Sequence, residues 1–403
     1  MSNGNLKVFV GMSGGVDSSV TAALLVEQGY DVTGVYMKNW SKDLPGFPCP
    51  WMEDYQDAKR VAVQLGIPFE MFDFETEYFE RVVQYMLDGF KSGITPNPDV
   101  MCNQEIKFKL FYDLAREKGA DYIATGHYAR VSHETEHTSL QTSSSSGTQP
   151  EPKSSQPVAK LLAAADANKD QTYFLYRISE DALVHTLFPL GDMTKDEVRA
   201  EAQKRGLATA KKKESMGICF VGKVGIKDFL TQHLTQNIQA RPVYGGEGVE
   251  ELGQAEKADA MEYVRPGLIV DQNGITLGEH DGAIFYTIGQ RHGLDVGGGM
   301  PLYVTGKNMD TNTVYVTSDI ADDQLWSEKI DLSECHWINS PPRQRQTLAV
   351  RTRHRAPLVK CEVTAIEGRK LTVQLEESLR ALTPGQSAVF YDDDVCIGGG
   401  IIT

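Results

Sequence analysis

The sequence predicts an α/β protein: a doubly wound parallel sheet over residues 1–222, a small central β domain over 223–299 and a C-terminal β-barrel over 300–403. Three observations carry this. The first part alternates apolar strands with helices, the pattern of a parallel sheet covered on both faces. From about residue 223, short glycine-punctuated strands such as GLIVDQNGITLGEHDGAIFYTIGQRHGL replace the helices. From about residue 300 the strands LYVTGK, TVYVTS, LAVRTRH, CEVTAI, KLTVQL and SAVFY follow with little helical periodicity, as in a barrel.

The first element, LKVFV, is a strand that runs into GMSGGVDSS and then directly into the apolar helix VTAALLVEQG. DVTGVYM is the second strand, MEDYQDAKRVAVQLG a helix closed by Gly66, and PFEMFDF the third strand. EYFERVVQYMLDGF and FKLFYDLAREKG read as helices and DYIATGHYARV as a strand. Ligands of such sheets bind at the carboxyl ends of the strands, where the Gly14–Gly15 turn falls. Residues 133–157 are Ser-rich and nearly devoid of apolar side chains, so a disordered surface insertion is expected. His133 to His137 spell HExxH, but zinc chemistry needs both histidines on one face of a packed helix, which this setting does not supply. Order returns with VAKLLAAADANKDQTYFLYRI and with TKDEVRAEAQKRG, a helix opened by a Thr194/Glu197 capping box and ended by Gly206.

Composition bounds the function. A chain of 403 residues, 41% hydrophobic and 24% charged, suits two or three soluble domains. No apolar run approaches the ~20 residues that cross a bilayer, so a cytoplasmic protein without membrane attachment is expected, import into an organelle after removal of a leader being the alternative. The six cysteines lack CxxC spacing, which argues against a disulfide framework, a zinc site and an iron–sulfur cluster. The net charge of −15 speaks against a polyanionic partner, but Arg343, Arg345, Arg351, Arg353 and Arg355 cluster, as do Lys211, Lys212 and Lys213. Each cluster reads either as a nucleic-acid surface or as a solvated strand or helix end.

The turn at Ser13–Ser19 has the makings of a phosphate cradle. Gly14 and Gly15 let the backbone approach an anion, the first amides of the helix point at it, and Ser13, Ser18 and Ser19 add hydroxyls. No Gly-Lys-Ser/Thr follows, so it is not a Walker loop. SGGVDSS resembles the SGGxDS signature of the PP-loop ATP-pyrophosphatases, which implies an adenine nucleotide alpha hydrolase-like fold holding pyrophosphate while AMP is transferred. Two cysteines lie in unusual contexts. Cys102 follows Pro96, Pro98 and Asp99, and Cys219 follows three lysines whose field lowers a thiol pKa, although a cysteine within MGICFV also reads as a buried small hydrophobe.

NPDVMCNQEIKF, ATGHYAR, KDQTYFL, ESMGICFVG, YTIGQRHGL and TPGQSAVFY occur in the order seen in the tRNA-specific 2-thiouridylases, which the chain resembles over nearly its whole length. The resemblance implies a sulfurtransferase that uses ATP to adenylate the C2 oxygen of a wobble uridine in tRNA and replaces it with sulfur, giving 2-thiouridine, AMP and pyrophosphate. It implies a persulfide on Cys219, supplied by a sulfur-carrier protein or cysteine desulfurase, and a transient Cys102–Cys219 disulfide when Cys102 attacks it. Asp99 matches the acid/base candidate, though a turn-capping aspartate is an equal reading. Gly11, Met12, Ser13, Gly14, Gly15, Val16, Asp17 and Ser18 match the phosphate site, with Met37 on the adenine side and Gly126 against the nucleotide. Asp17 is expected to hold Mg2+. Asn97, Pro98 and Asp99 match the target-base pocket, and His127, Lys169, Asp170, Gln171, Arg353, His354 and Gln386 match positions that touch tRNA. Competing readings are an amidotransferase-like PP-loop ligase without paired reactive cysteines, and a nucleotide-sensing RNA-binding protein without turnover.

Overall fold

The computed structural model describes residues 6–43, 49–134, 158–213, 225–235, 241–242, 249–250, 263–294, 296–297 and 299–403. The amino-terminal sheet is parallel, with strands β1 (Lys7–Gly11), β2 (Asp31–Lys38), β3 (Phe69–Asp73), β4 (Tyr122–Ala124) and β7 (Thr186–Leu187) in the order β3-β2-β1-β4-β7. The period of two in β1 sorts its side chains between two cores. Val8 and Val10 pack with α1 (Val16–Glu27), α2 (Trp51–Leu65) and the later helix Lys195–Lys204. Phe9 faces the other way, onto helices spanning residues 75–91 and 98–117, named α3 and α4. The chain adds strands outward from β1 to β3 and then returns to place β4 on the other flank of β1, which makes the carboxyl ends of β1 and β4 the switch point.

DYIATGHYARV, expected as one strand, is two. Beyond β4, Gly126 runs so close to α1 that a Cβ there would lie 2.8 Å from the Ser18 amide nitrogen. The chain turns away, and β5 (Arg130–Glu134) pairs with β6 (Val158–Leu162) in an antiparallel hairpin. His133 therefore lies in a strand, not a helix; His137 and the rest of the Ser-rich segment lie outside the described residues. Four further short α-helices occur among the described residues: α5 (Thr172–Leu175), α6 (Glu180–Val184), α7 (Lys195–Lys204) and α8 (Ile226–Thr235). The predicted capping box of α7 is present, with Thr194 and Glu197 bonding reciprocally.

After a two-residue pair, β8 (Arg241–Pro242) with β9 (Val249–Glu250), a four-stranded sheet orders as β11-β10-β13-β12, built from β10 (Gly267–Asp271), β11 (Thr276–His280), β12 (Tyr303–Asn308) and β13 (Thr313–Thr317). The last six strands are β14 (Trp326–Trp337), β15 (Thr347–Arg351), β16 (Val359–Glu367), β17 (Lys370–Arg380), β18 (Ser387–Asp392) and β19 (Val395–Ile402). They pair in the order β14-β17-β16-β15-β18-β19, and β19 returns to β14, closing an antiparallel barrel around Val350, Val363, Val373 and Phe390. Closure leaves no unpaired edge. The β5–β6 hairpin extends this sheet through Val395↔Leu162 and Cys396↔Leu161. The core holding Phe9 and Cys102 also takes in Val389 and Tyr391 of the barrel, so one apolar interior runs from the parallel sheet into the carboxyl-terminal strands.

Candidate active site

At the carboxyl end of β1 the loop residues bond among themselves. The Ser13 amide donates to Ser18 Oγ at 3.2 Å, and Ser18 and Ser19 hydroxyls donate to the Gly15 carbonyl at 3.2 and 2.7 Å. Gly15 caps α1 without a side-chain acceptor, so the amides of the first turn are left facing outward, the arrangement that binds anions. Gly14 has φ +75°, and a Cβ there would strike the Asp54 carbonyl oxygen at the start of α2. The glycine is thus demanded by α2 passing over the loop. Met12 and Val16 are buried in the sheet core and hold the turn in place, while half-buried Met37 lies over Gly11, whose added Cβ would approach the Met37 methyl to 2.9 Å.

Asp17, expected as a magnesium ligand, is engaged by protein. Lys195 Nζ reaches its two carboxylate oxygens at 2.7 and 2.8 Å, and the Tyr128 hydroxyl donates to Oδ1 at 2.9 Å. No group of three or more acidic, histidine or cysteine side chains with metal-binding geometry occurs among the described residues. A magnesium ion carried on nucleotide phosphates needs only one or two protein carboxylates, and Asp17 stands at the loop with Lys195 and Tyr128 on its oxygens. Sequence reasoning took TKDEVR only for a helix cap and missed Lys195. The signal was there: a lysine in the first turn of a helix opposes the macrodipole and calls for a compensating anion.

The second half of the site is the loop leading into α4. Asn97 caps that helix, its side chain accepting from the Val100 amide at 3.3 Å, with Pro98 at the first helical position. Asp99 is in the first turn, and Cys102, with no exposed surface, begins a π-helical stretch, Cys102–Leu110. Such wide turns are frequent at functional sites. Asn103 donates to the Phe174 carbonyl at 3.2 Å, and its buried Oδ1 has no hydrogen-bond partner.

Residues expected at the tRNA surface divide into two groups. Asp170 is 3% exposed: it accepts from the Ala164 amide and the Thr172 hydroxyl, and pairs with Arg351 of β15 at 3.1 Å. Gln171 accepts from the Tyr128 amide at 2.9 Å. His127 is buried between Phe108 and Phe188 with Nδ1 2.8 Å from the Thr125 hydroxyl, and burial pushes its pKa well below the usual histidine range. Asp170 and His127 are buried, and Gln171 is half-buried with its side-chain oxygen engaged by the backbone. Lys169 is half-buried, Arg353 is exposed, and the His354 ring lies tilted against Phe174 with centroids 4.6 Å apart and its Nδ1 buried and unbonded. One Arg353 amino group donates to the Ala381 carbonyl at 2.8 Å and the Thr383 hydroxyl at 3.2 Å, and Gln386 donates to the Thr95 carbonyl at 2.9 Å. Half-buried Arg351 and buried Tyr128 and Tyr173, none of which the sequence marked as a site residue, bring these segments together.

Family models match in three stretches: tRNA methyl transferase HUP domain over residues 6–223, tRNA methyl transferase PRC-barrel domain over 260–318 and aminomethyltransferase beta-barrel domain over 327–402. The tRNA-specific 2-thiouridylase MnmA of Enterococcus faecalis is 43% identical over 406 residues, covering 99% of this chain and 96% of that protein. The chain belongs to the tRNA-specific 2-thiouridylase family. The 2-thiouridylase of Exiguobacterium sibiricum is 44% identical over 399 residues, covering 98% of this chain and 93% of its own. A crystal structure of a 4-thiouridine synthetase–RNA complex with bound ATP is similar only loosely, with TM-score 0.33 and 18% identity over 51% of this chain and 42% of that one.

For a 2-thiouridylase the thiols are the decisive groups. Burial pushes the Cys335 thiol up to about 11 and Cys361 up to about 12, and raises Cys396 and Cys49 as well, so all four stay protonated near neutrality. Cys219 lies outside the described residues. Among the described residues no helix is long and apolar enough to cross a membrane.

Proposed function

We propose that this protein is an ATP-dependent tRNA 2-thiouridylase acting on the wobble uridine. The observation that carries the reading is the 43% identity along the full length to proteins of that name, in a chain whose first domain holds both the β1–α1 loop and the Asn97–Cys102 helix start. The α1 amides and the Ser13 hydroxyl, with Ser18 beside it, receive the ATP phosphates, with Lys195 adding positive charge beside Asp17, whereas Ser19, with no exposed surface, is engaged by Gly15 and Thr209 instead. Magnesium arrives on those phosphates as part of the substrate. The C2 oxygen of the uridine attacks the α-phosphorus, and pyrophosphate leaves. The carbonyl oxygen, a poor leaving group by itself, can then depart as AMP.

Sulfur reaches the site as the outer atom of a Cys219 persulfide, loaded by a persulfide-bearing carrier. The Cys102 thiolate attacks the inner sulfur, forming the Cys102–Cys219 disulfide and expelling hydrosulfide, which adds at C2 as AMP departs. A cellular dithiol then reduces the disulfide, which sets the reaction in a reducing compartment, the cytoplasm. Asp99, in the first turn of α4, takes up and returns the proton exchanged at the base. The base leaves the anticodon stack to enter a pocket walled by Asn97–Asp99. Mass spectrometry of tRNA nucleosides from cells lacking the gene tests the reading: wobble 2-thiouridine disappears and returns with the wild-type gene, whereas an unchanged nucleoside profile overturns it.

A further inference from the structure

The loop carrying Asn97–Asp99 is held from outside its own domain. The Thr95 amide donates to the Pro384 carbonyl at 2.8 Å, and Gln386 Nε2 donates back to the Thr95 carbonyl at 2.9 Å and to that of Pro96 at 3.4 Å. Gly385, between them, has φ +91°, and a Cβ there would lie 2.9 Å from both the Thr95 nitrogen and oxygen. The Thr95 hydroxyl lies 3.2 Å from that of Thr287 in the central domain. Every polar group of Thr95 is thus met by a different domain, and the backbone contact is so close that only glycine fits.

We propose that the Thr383–Gln386 turn of the barrel is a positioning clamp for the base pocket, with Gln386 its central residue, acting on the reaction through Thr95 and Pro96. The argument is geometric. α4 begins at Pro98, so the register and direction of its first turn, with Asp99 and then Cys102, follow from where residues 95–97 are fixed. Two carbonyls facing one carboxamide accept only from its NH2 end, so a donor is required at position 386 and an acceptor there would repel them. The clamp rests on the thiolation reading for its consequence in rate but not for its geometry.

The test compares wild type with Gln386→Met, which keeps length and loses the donors, and with Gln386→Glu, which puts a carboxylate against two carbonyls. Two readouts are taken. The first is thiolation at saturating tRNA beside tRNA affinity from filter binding: the clamp predicts a fall in kcat of about 10- to 100-fold that saturation does not restore, Glu worse than Met, whatever the change in affinity. The second is iodoacetamide labelling of Cys102 in tRNA-free protein, read by peptide mass spectrometry: the clamp predicts faster labelling in both variants at unaltered melting temperature. Weakened tRNA affinity with full kcat would make Gln386 a direct tRNA contact and overturn the clamp. Labelling identical to wild type overturns it as well, even if the wild-type protein itself thiolates no tRNA, an outcome that would sink the functional reading alone.

Discussion

The turn at residues 13–19 is closed by bonds within one strand-turn-helix unit and is braced from outside only by its own domain, through Asp54, Tyr128, Lys195 and Thr209, whereas residues 95–103 are held by the first domain, the central domain and the barrel. The phosphate loop closes on itself through Ser13, Gly15, Ser18 and Ser19, within a span of seven residues. The base-pocket loop is held by Thr287, Pro384 and Gln386, whose bonds to Thr95 cross about two to three hundred residues of chain. A local unit advertises itself as a motif. An assembled site is spread over fragments that make sense only once the chain is folded.

The contrast predicts that damage to the loop abolishes nucleotide chemistry outright. Gly14→Ala forces a methyl group into the Asp54 carbonyl, and Lys195→Met leaves Asp17 without its ion-pair partner. Either change should lower tRNA-dependent AMP formation by about a hundredfold or more. Near wild-type AMP formation from Lys195→Met would show that the Asp17 pair is structural only.

Damage to the assembled half should register first as stability. Arg351 and Asp170 form a buried pair across the joint between the first domain and the barrel, with side-chain exposures of 14% and 3%. Arg351→Met strands the Asp170 carboxylate, a loss of roughly 3–5 kcal/mol by analogy with broken buried pairs. Urea unfolding measures it, and a change below about 1 kcal/mol would mean that the joint is held by its apolar core alone.

Acid sensitivity should come from outside the phosphate loop. Burial lowers the pKa of His127, His233, His280, His336 and His354, and none of these lies in that loop. A histidine whose folded pKa is lowered leaves the unfolded chain binding more protons below its ordinary pKa of about 6.5, so stability is present above that pH and is lost as pH falls through it. The urea midpoint should drop between pH 8 and pH 5.5. A flat profile would mean that these histidines take up protons without cost.

The smallest effect is expected from deleting residues 135–156. Glu134 and Val158 are already paired in register, so a short turn can replace the segment. Folding and thiolation should persist; loss of either would give the Ser-rich segment a role.

The sequence was legible where chemistry and chain neighbourhood coincide. SGGVDSS and the α7 capping box could each be read from adjacent residues, whereas α4, expected from Phe108, starts at Pro98 with an Asn97 cap. Asp170, Gln171 and His127 match positions that touch tRNA, but no local pattern announces that Arg351, the Tyr128 amide and two phenylalanines are their partners within the protein. The split of DYIATGHYARV was hidden for the same reason: it depends on the approach of Gly126 to α1 and on a barrel strand, β19, that lies far along the chain. Lys195 was the exception, legible in principle from a lysine placed against a helix dipole.

Separating the two half-reactions in Cys102→Ser tests the division between them most directly. With ATP, tRNA and a persulfide donor, this variant should release AMP in a tRNA-dependent manner while forming no 2-thiouridine, since the loop is intact and the resolving thiol is gone. Two-thiouridine made at the wild-type rate, or the loss of tRNA-dependent AMP along with the sulfur transfer, would contradict it.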